Sequence, residues 1–224
     1  MAQHPARNLA VLAKFQEIPE KLDLTLAAGI TLVGTVRNKE RTPLPDAAIS
    51  LQLQIGRFNY PLNVPPGDAK GSLSIPALPQ GFACLLRATV KGYGGANASL
   101  PLAESRADRY EVPPFVLKRA DHKVAGQVLG PDDKPVPGAT VRLGSRLAGA
   151  EQLGGANGVQ VVKTDSTGHF VCEGLVEGDI HLIGNWGGSL EAGATPTVLA
   201  SPSGRTPVVQ AGDTNIILRL VKVH

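Results

Sequence analysis

The chain has 224 residues, of which 26 are glycine and 18 proline, about a fifth of the whole, while only 4% are aromatic. Long helices do not survive that density of Gly and Pro, so the composition points to many short strands and turns around a core of Val, Leu, Ile and Ala. Net charge is +3, scattered as about +5 over 1–119 and −2 over 120–224. That excludes the dense basic stripe with interleaved aromatics that nucleic-acid binding needs.

In chain order, Met1–Arg7 is followed by only a short apolar stretch, Leu9–Ala13, too brief for the apolar core of a secretion signal. No run of about 18 apolar residues occurs, so direct membrane insertion as a helix is not expected. Lys21-Leu22-Asp23-Leu24-Thr25-Leu26 alternates like a strand. Residues 1–28 read either as the closing strand of a preceding repeat or as an extra edge strand on the first domain.

From residue 29 the chain repeats itself. Leu32-Val33-Gly34-Thr35-Val36 and, six residues on, Pro43-Leu44-Pro45-Asp46-Ala47 return 92 positions later as Val124-Ala125-Gly126-Gln127-Val128 and Pro135-Val136-Pro137-Gly138-Ala139. Asp68-Ala69-Lys70-Gly71-Ser72-Leu73 returns at an offset of 97 as Asp165-Ser166-Thr167-Gly168-His169-Phe170, which puts five extra residues near Ala148–Gly158. Tyr93-Gly94-Gly95 against Trp186-Gly187-Gly188 reads as a third echo, at 93, and suggests one shared aromatic slot. The predicted domains are therefore 29–119, a degenerate first copy, and 120–224, the second.

Each block has a physical reading. A Gly inside a β-branched strand is costly unless another group approaches closely there. Pro-x-Pro cannot donate to a central ladder and fixes an extended turn. In Asp-x-x-Gly the carboxylate accepts amide bonds from the residues after it, and the Gly supplies a positive φ. Alternation then continues, with Phe170 and Cys172 inward and His169 and Val171 outward. The fold class predicted is all-β, two tandem Greek-key sandwiches of about seven strands each.

The blocks resemble the carboxypeptidase regulatory-like domain, a transthyretin-like (prealbumin-like, Ig-like) β-sandwich. The second copy carries the pattern at Gly126, Val128, Pro135, Pro137, Gly138, Ala139, Val141, Thr164, Asp165, Gly168, Phe170, Leu175 and Gly178, whereas in the first copy Asp46 stands for the turn glycine and Leu73 for the phenylalanine. The resemblance implies a non-catalytic attachment of secreted, periplasmic or cell-surface proteins. Fold alone does not fix activity.

The residues that could carry chemistry fall short of the patterns chemistry needs. His4, His122, His169, His181 and His224 form no His-Glu-x-x-His or His-x-x-Glu pattern, although His169 and His181 could face out from neighbouring strands. The ending Lys222-Val223-His224 departs from the Tyr-Arg-Gly-Ser of the hydroxyisourate hydrolases that share the transthyretin-like fold, and three scattered tyrosines do not make an intradiol iron site. Gly154-Gly155-Ala156-Asn157-Gly158 lacks the Gly-Lys-Ser/Thr of a phosphate loop. Asp132, Asp133 and Asp165 lack the regular oxygen spacing of a calcium loop and suit turns. Cys84 and Cys172, 88 residues apart, read as free buried thiols. Trp186 is either a sugar-stacking platform or a structural cap.

The expectation is a chain with no catalytic, cofactor or metal residues, no cofactor, and an unidentified ligand site: a spacer, scaffold or protein-interaction tandem. Its partners would be other domains of a longer parent chain or other proteins. Two alternatives stand beside this, a carbohydrate- or peptide-binding module near Trp186 and a subunit that self-assembles through strand edges.

Overall fold

The computed structural model describes residues 1–13, 21–102, 108–145, 159–188, 197–202 and 207–223. Among the described residues, apart from a single 3-10 turn at Pro5–Arg7, the regular elements are all strands. The chain divides into two compact units, Met1–Val90 with Ala96–Leu117, and Lys91–Gly95 with Lys118–His224.

In the first unit a small sheet joins β1 (Ala2–His4), β2 (Leu9–Val11) and β3 (Ala27–Ala28). The sandwich proper begins at β4 (Ile30–Asn38). It pairs antiparallel with β7 (Ser72–Leu78) and parallel with β10 (Arg109–Glu111) and β11 (Phe115–Leu117). The second layer runs β6 (Phe58–Leu62), β5 (Ala48–Ile55), β8 (Ala83–Thr89) and β9 (Ala96–Leu100). Alternation sorts the side chains: Ile30, Leu32 and Val36 of β4 are buried, as are Leu51, Leu53, Cys84 and Leu86 of the second layer. Residues 113 and 114 are both proline and have no N–H to give, and the ladder along β4 is interrupted there, between β10 and β11.

The second unit repeats the plan. β12 (His122–Leu129) pairs antiparallel with β15 (His169–Leu175) and parallel with β19 (Ile216–Arg219). The facing layer runs β14 (Val159–Lys163), β13 (Thr140–Ser145), β16 (Asp179–Gly188), β17 (Thr197–Ala200) and β20 (Val221–Lys222), with β18 (Val208–Gln210) also on β16. Val124, Val128, Val141, Leu143, Phe170, Leu182 and Leu218 form its core.

The repeat holds at the level of backbone register. Gly34 lies opposite Leu73 and Gly126 opposite Phe170, which reproduces the offsets of 92 and 97. Val36 N–H donates to Gly71 O at 2.7 Å and Val128 N–H to Gly168 O at 2.8 Å. Asp46 (φ +53°) holds the left-handed turn position that Gly138 (φ +69°) holds in the second unit. A Cβ on Gly126 would lie 2.3 Å from the carbonyl oxygen of Ile216, its partner on the parallel strand β19, so the close approach of that backbone requires the strand glycine.

Two sequence expectations are corrected. The third echo is out of register. Ala48 pairs with Thr89 and its counterpart Thr140 with Asn185, so β8 and β16 correspond at an offset of 96, and Trp186 matches Val90 rather than Tyr93. Tyr93 instead bridges to Arg119, whose guanidinium carbon lies 5.9 Å from its ring centre. The other correction concerns residues 21–26, which form no strand: the paired segments upstream of β4 are β1, β2 and β3. The stretch Ala148–Gly158, expected to carry the five extra residues, lies outside the described residues.

Candidate functional site

The aspartates singled out for chemistry are engaged by the frame. Asp165 opens its turn by accepting the amides of Thr167 (2.8 Å) and His169 (2.9 Å) and the Thr167 hydroxyl (2.7 Å). The Thr167 hydroxyl bond and these amides hold its carboxyl below the usual carboxylate range. Asp68 does the same work in the first unit, accepting the Lys70 and Ser72 amides at 2.8 and 2.7 Å. Asp132 accepts the Lys134 amide at 3.3 Å, and Asp133, at φ +58°, pairs with Arg219. These carboxylates are already engaged, by turn amides or by Arg219, and Asp68, Asp132–Asp133 and Asp165 lie on three separate loops.

The histidines are dispersed. His169 sits on β15 and His181 on β16, strands of opposite layers rather than neighbours, so their side chains do not share a face. This corrects the reading that placed them on adjacent strands. His122 lies 3.7 Å from Asp121, and His4 is exposed on β1. Among the described residues, no group of three His, Cys, Asp or Glu side chains is arranged to hold a metal ion. His224 and Gly154–Gly158 fall outside the described residues.

Cys84 and Cys172 are free and buried. Burial pushes the Cys84 thiol up to about 12; burial, with Glu173 beside it, pushes Cys172 up to about 11. Both are therefore protonated and poor nucleophiles at neutral pH. The Cys172 thiol donates to Gln160 Oε1 at 2.7 Å, and Gln160 Nε2 donates on to Gly174 O at 3.2 Å. Gln160 thus laces β14 to β15 along one side of the second sandwich. Trp186 packs against the core of its unit, and its indole N–H donates to Pro137 O at 3.0 Å.

Three surface features are not legible in the sequence pattern. A shallow depression of about 590 Å³ lies on the outer side of β4 and β7 beside the proline interruption, lined by Thr35, Ser72, Ser74, Arg109 and Glu111 among others. On the outer face of the larger sheet of the second unit, Arg142 lies between Val161 and Ile183, both exposed, where the first unit pairs Ser50 with Arg87. Finally, Phe58 is 79% and Tyr60 46% exposed at the free edge of the first sandwich. The Phe-x-Tyr-x-Leu alternation of β6 would have flagged a strand, but not one whose apolar face is left uncovered.

No protein-family model matches the chain, and no curated protein matches it. Solved structures to which the chain is similar include a streptococcal ancillary pilin (17% identity, 87% of this chain, 62% of that one, TM-score 0.42). A minor pilin of Streptococcus agalactiae is 14% identical over 88% of this chain and 97% of its own, with a TM-score of 0.39. The major pilin subunit of Bacillus cereus is 8% identical over 87% and 99%, with a TM-score of 0.34. The chain spans less than two thirds of the streptococcal ancillary pilin.

Proposed function

We propose that the chain is a non-catalytic tandem of carboxypeptidase regulatory-like β-sandwiches, serving as a scaffold and protein-interaction module of an extracytoplasmic protein. The carrying observation is that the side chains best suited to chemistry are engaged within the frame. Asp68 and Asp165 cap equivalent turns, and in the second unit Thr164, Cys172 and Trp186 are each bonded within the frame. What the frame leaves over is apolar surface, at Phe58 and Tyr60 and beside Arg142, and exposed apolar surface of this kind suits contact with another protein. The family and compartment rest on the motif resemblance.

Trp186 is partly buried against the core of its unit, which favours the structural-cap reading over the sugar-platform alternative. The test is a broad hydrolase and oxidoreductase screen of the full chain and of H169A and H181A variants. The expected result is no turnover above buffer; turnover lost in either variant would overturn the proposal.

A further inference from the structure

We propose that Lys21–Leu26 of one copy adds as a strand to the free edge of Phe58–Leu62 in a second copy, joining chains head to tail. The inference rests on the structural-module reading and names its partner.

The donor is a strand sequence without a strand. Leu22, Leu24 and Leu26 alternate with Lys21, Asp23 and Thr25, yet the segment enters no ladder, and no main-chain hydrogen bond joins it to the described residues. Leu22 is 48% and Leu24 38% exposed. An extended run of this pattern lowers its free energy by finding an edge that covers its leucines and satisfies its amides.

The acceptor is an edge without a cover. β5 and β6 meet through a two-residue turn, Gly56-Arg57, with Ile55 opposite Phe58 and Leu53 opposite Tyr60. In such a hairpin the pair flanking the turn exchanges both bonds, and the pattern alternates from there. The main-chain groups of 58, 60 and 62 therefore point at β5, and those of Asn59 and Pro61 point outward. Phe58 and Tyr60 share the inner face with the fully buried Leu53 and continue it beyond the cover of the facing layer. The second unit shows what closes such a seam. There Leu143 pairs with Gln160, which is bonded to β15, whereas at the equivalent place Leu51 pairs with Leu62. An apolar strand laid along β6 would put its leucines over Tyr60 and Phe58.

A second copy is the occupant because the segment runs directly into Ala27–Ala28, which is paired with β2, and then into β4, while β6 is the edge of the other layer. Pro61 contributes a carbonyl but no N–H. The added ladder is thus short, and association is concentration-dependent rather than permanent. Donor and acceptor are different surfaces, so the joint is heterologous and builds chains or rings.

The experiment uses the full chain and light scattering across a concentration series. Native protein is expected to gain mass with concentration. A donor variant (L22K with L24K) and an acceptor variant (F58K) should each shift half-association upward by about tenfold or more. All three positions are exposed, so the melting curves should coincide. Mixing the two variants restores one intact joint, and a dimer that goes no further is expected. A native monomer at every concentration, association indifferent to both variants, or a mixture that stays monomeric overturns the inference. So does an intramolecular disulfide in a monomeric L24C/Y60C chain. None of these results touches the non-catalytic reading, which the turnover screen tests separately.

Discussion

Thr164 is bound through its side chain to the backbone of Ala139. Its buried hydroxyl accepts the Ala139 N–H at 2.8 Å and donates to Val136 O at 2.7 Å, which closes the Pro-x-Pro-Gly-Ala turn from inside. Replacing it with valine keeps the shape and orphans both backbone groups, at a cost of about 1–3 kcal/mol in urea denaturation. Serine should recover most of that loss. In the first unit Gly67 fills this slot, and a Cβ there would meet nothing closer than 3.4 Å. G67T is therefore expected to stabilise the first unit by about 1 kcal/mol, and a lower midpoint for G67T would show that its hydroxyl does not reach the turn.

Gly34 and Gly126 occupy one slot with unequal constraints. At Gly126 a methyl group would run into the Ile216 backbone at 2.3 Å, which no rotamer change relieves. At Gly34 the nearest obstacle is the Val112 side chain at 3.2 Å. G126A should cost several-fold more stability than G34A, the latter about 1 kcal/mol. Equal losses would mean that β19 shifts freely on β12.

Asp46 carries a left-handed backbone that its counterpart Gly138 adopts without a Cβ. D46G is expected to stabilise the first unit by about 0.5–1 kcal/mol, and G138A to destabilise the second by about as much. Thermal melts of the two single variants check the pair, and opposite signs are required.

The same pair of residues shows why much of this fold was legible. Gly, Pro and Asp-x-x-Gly are demanded by backbone conformation, so their spacing reports register directly. An aromatic followed by two glycines makes no such demand, and the echo of Tyr93 in Trp186 fell three residues from the true correspondence. Alternation in Lys21–Leu26 and in Phe58–Leu62 records strand propensity, but pairing and cover depend on which edge lies nearby. Whether Tyr60 is buried is decided by the width of the facing layer, which sequence pattern does not encode. The spread of His169 and His181 over opposite layers follows likewise from topology.

Asp165 makes stability depend on pH in a defined direction. Its folded carboxyl is held below the normal range by the Thr167 hydroxyl and the His169 and Thr167 amides. Its contribution is then complete above the unfolded carboxylate value, about 3.9. It disappears as pH falls through the depressed folded value. D165N mimics the protonated acid, so native protein should melt higher than D165N at neutral pH, and the gap should close in acid. A gap that persists unchanged to the lowest pH would assign the effect to geometry rather than charge.

The thiols report on the seam that distinguishes the units. With pKa values of about 12 and about 11, Cys84 and Cys172 are ionised at pH 8 to roughly one part in ten thousand and one in a thousand. Both are also buried, so a disulfide-exchange reagent should label neither before unfolding. Gln160 holds the Cys172 thiol and Gly174 together, and thereby β14 to β15. Q160A removes that lacing while leaving the first unit untouched. Labelling of Cys172 in native conditions should then rise by an order of magnitude or more through local opening, with Cys84 unchanged. If both thiols accelerate together, the loss is global. If neither does, packing around Phe170 and Leu175 closes the seam without Gln160.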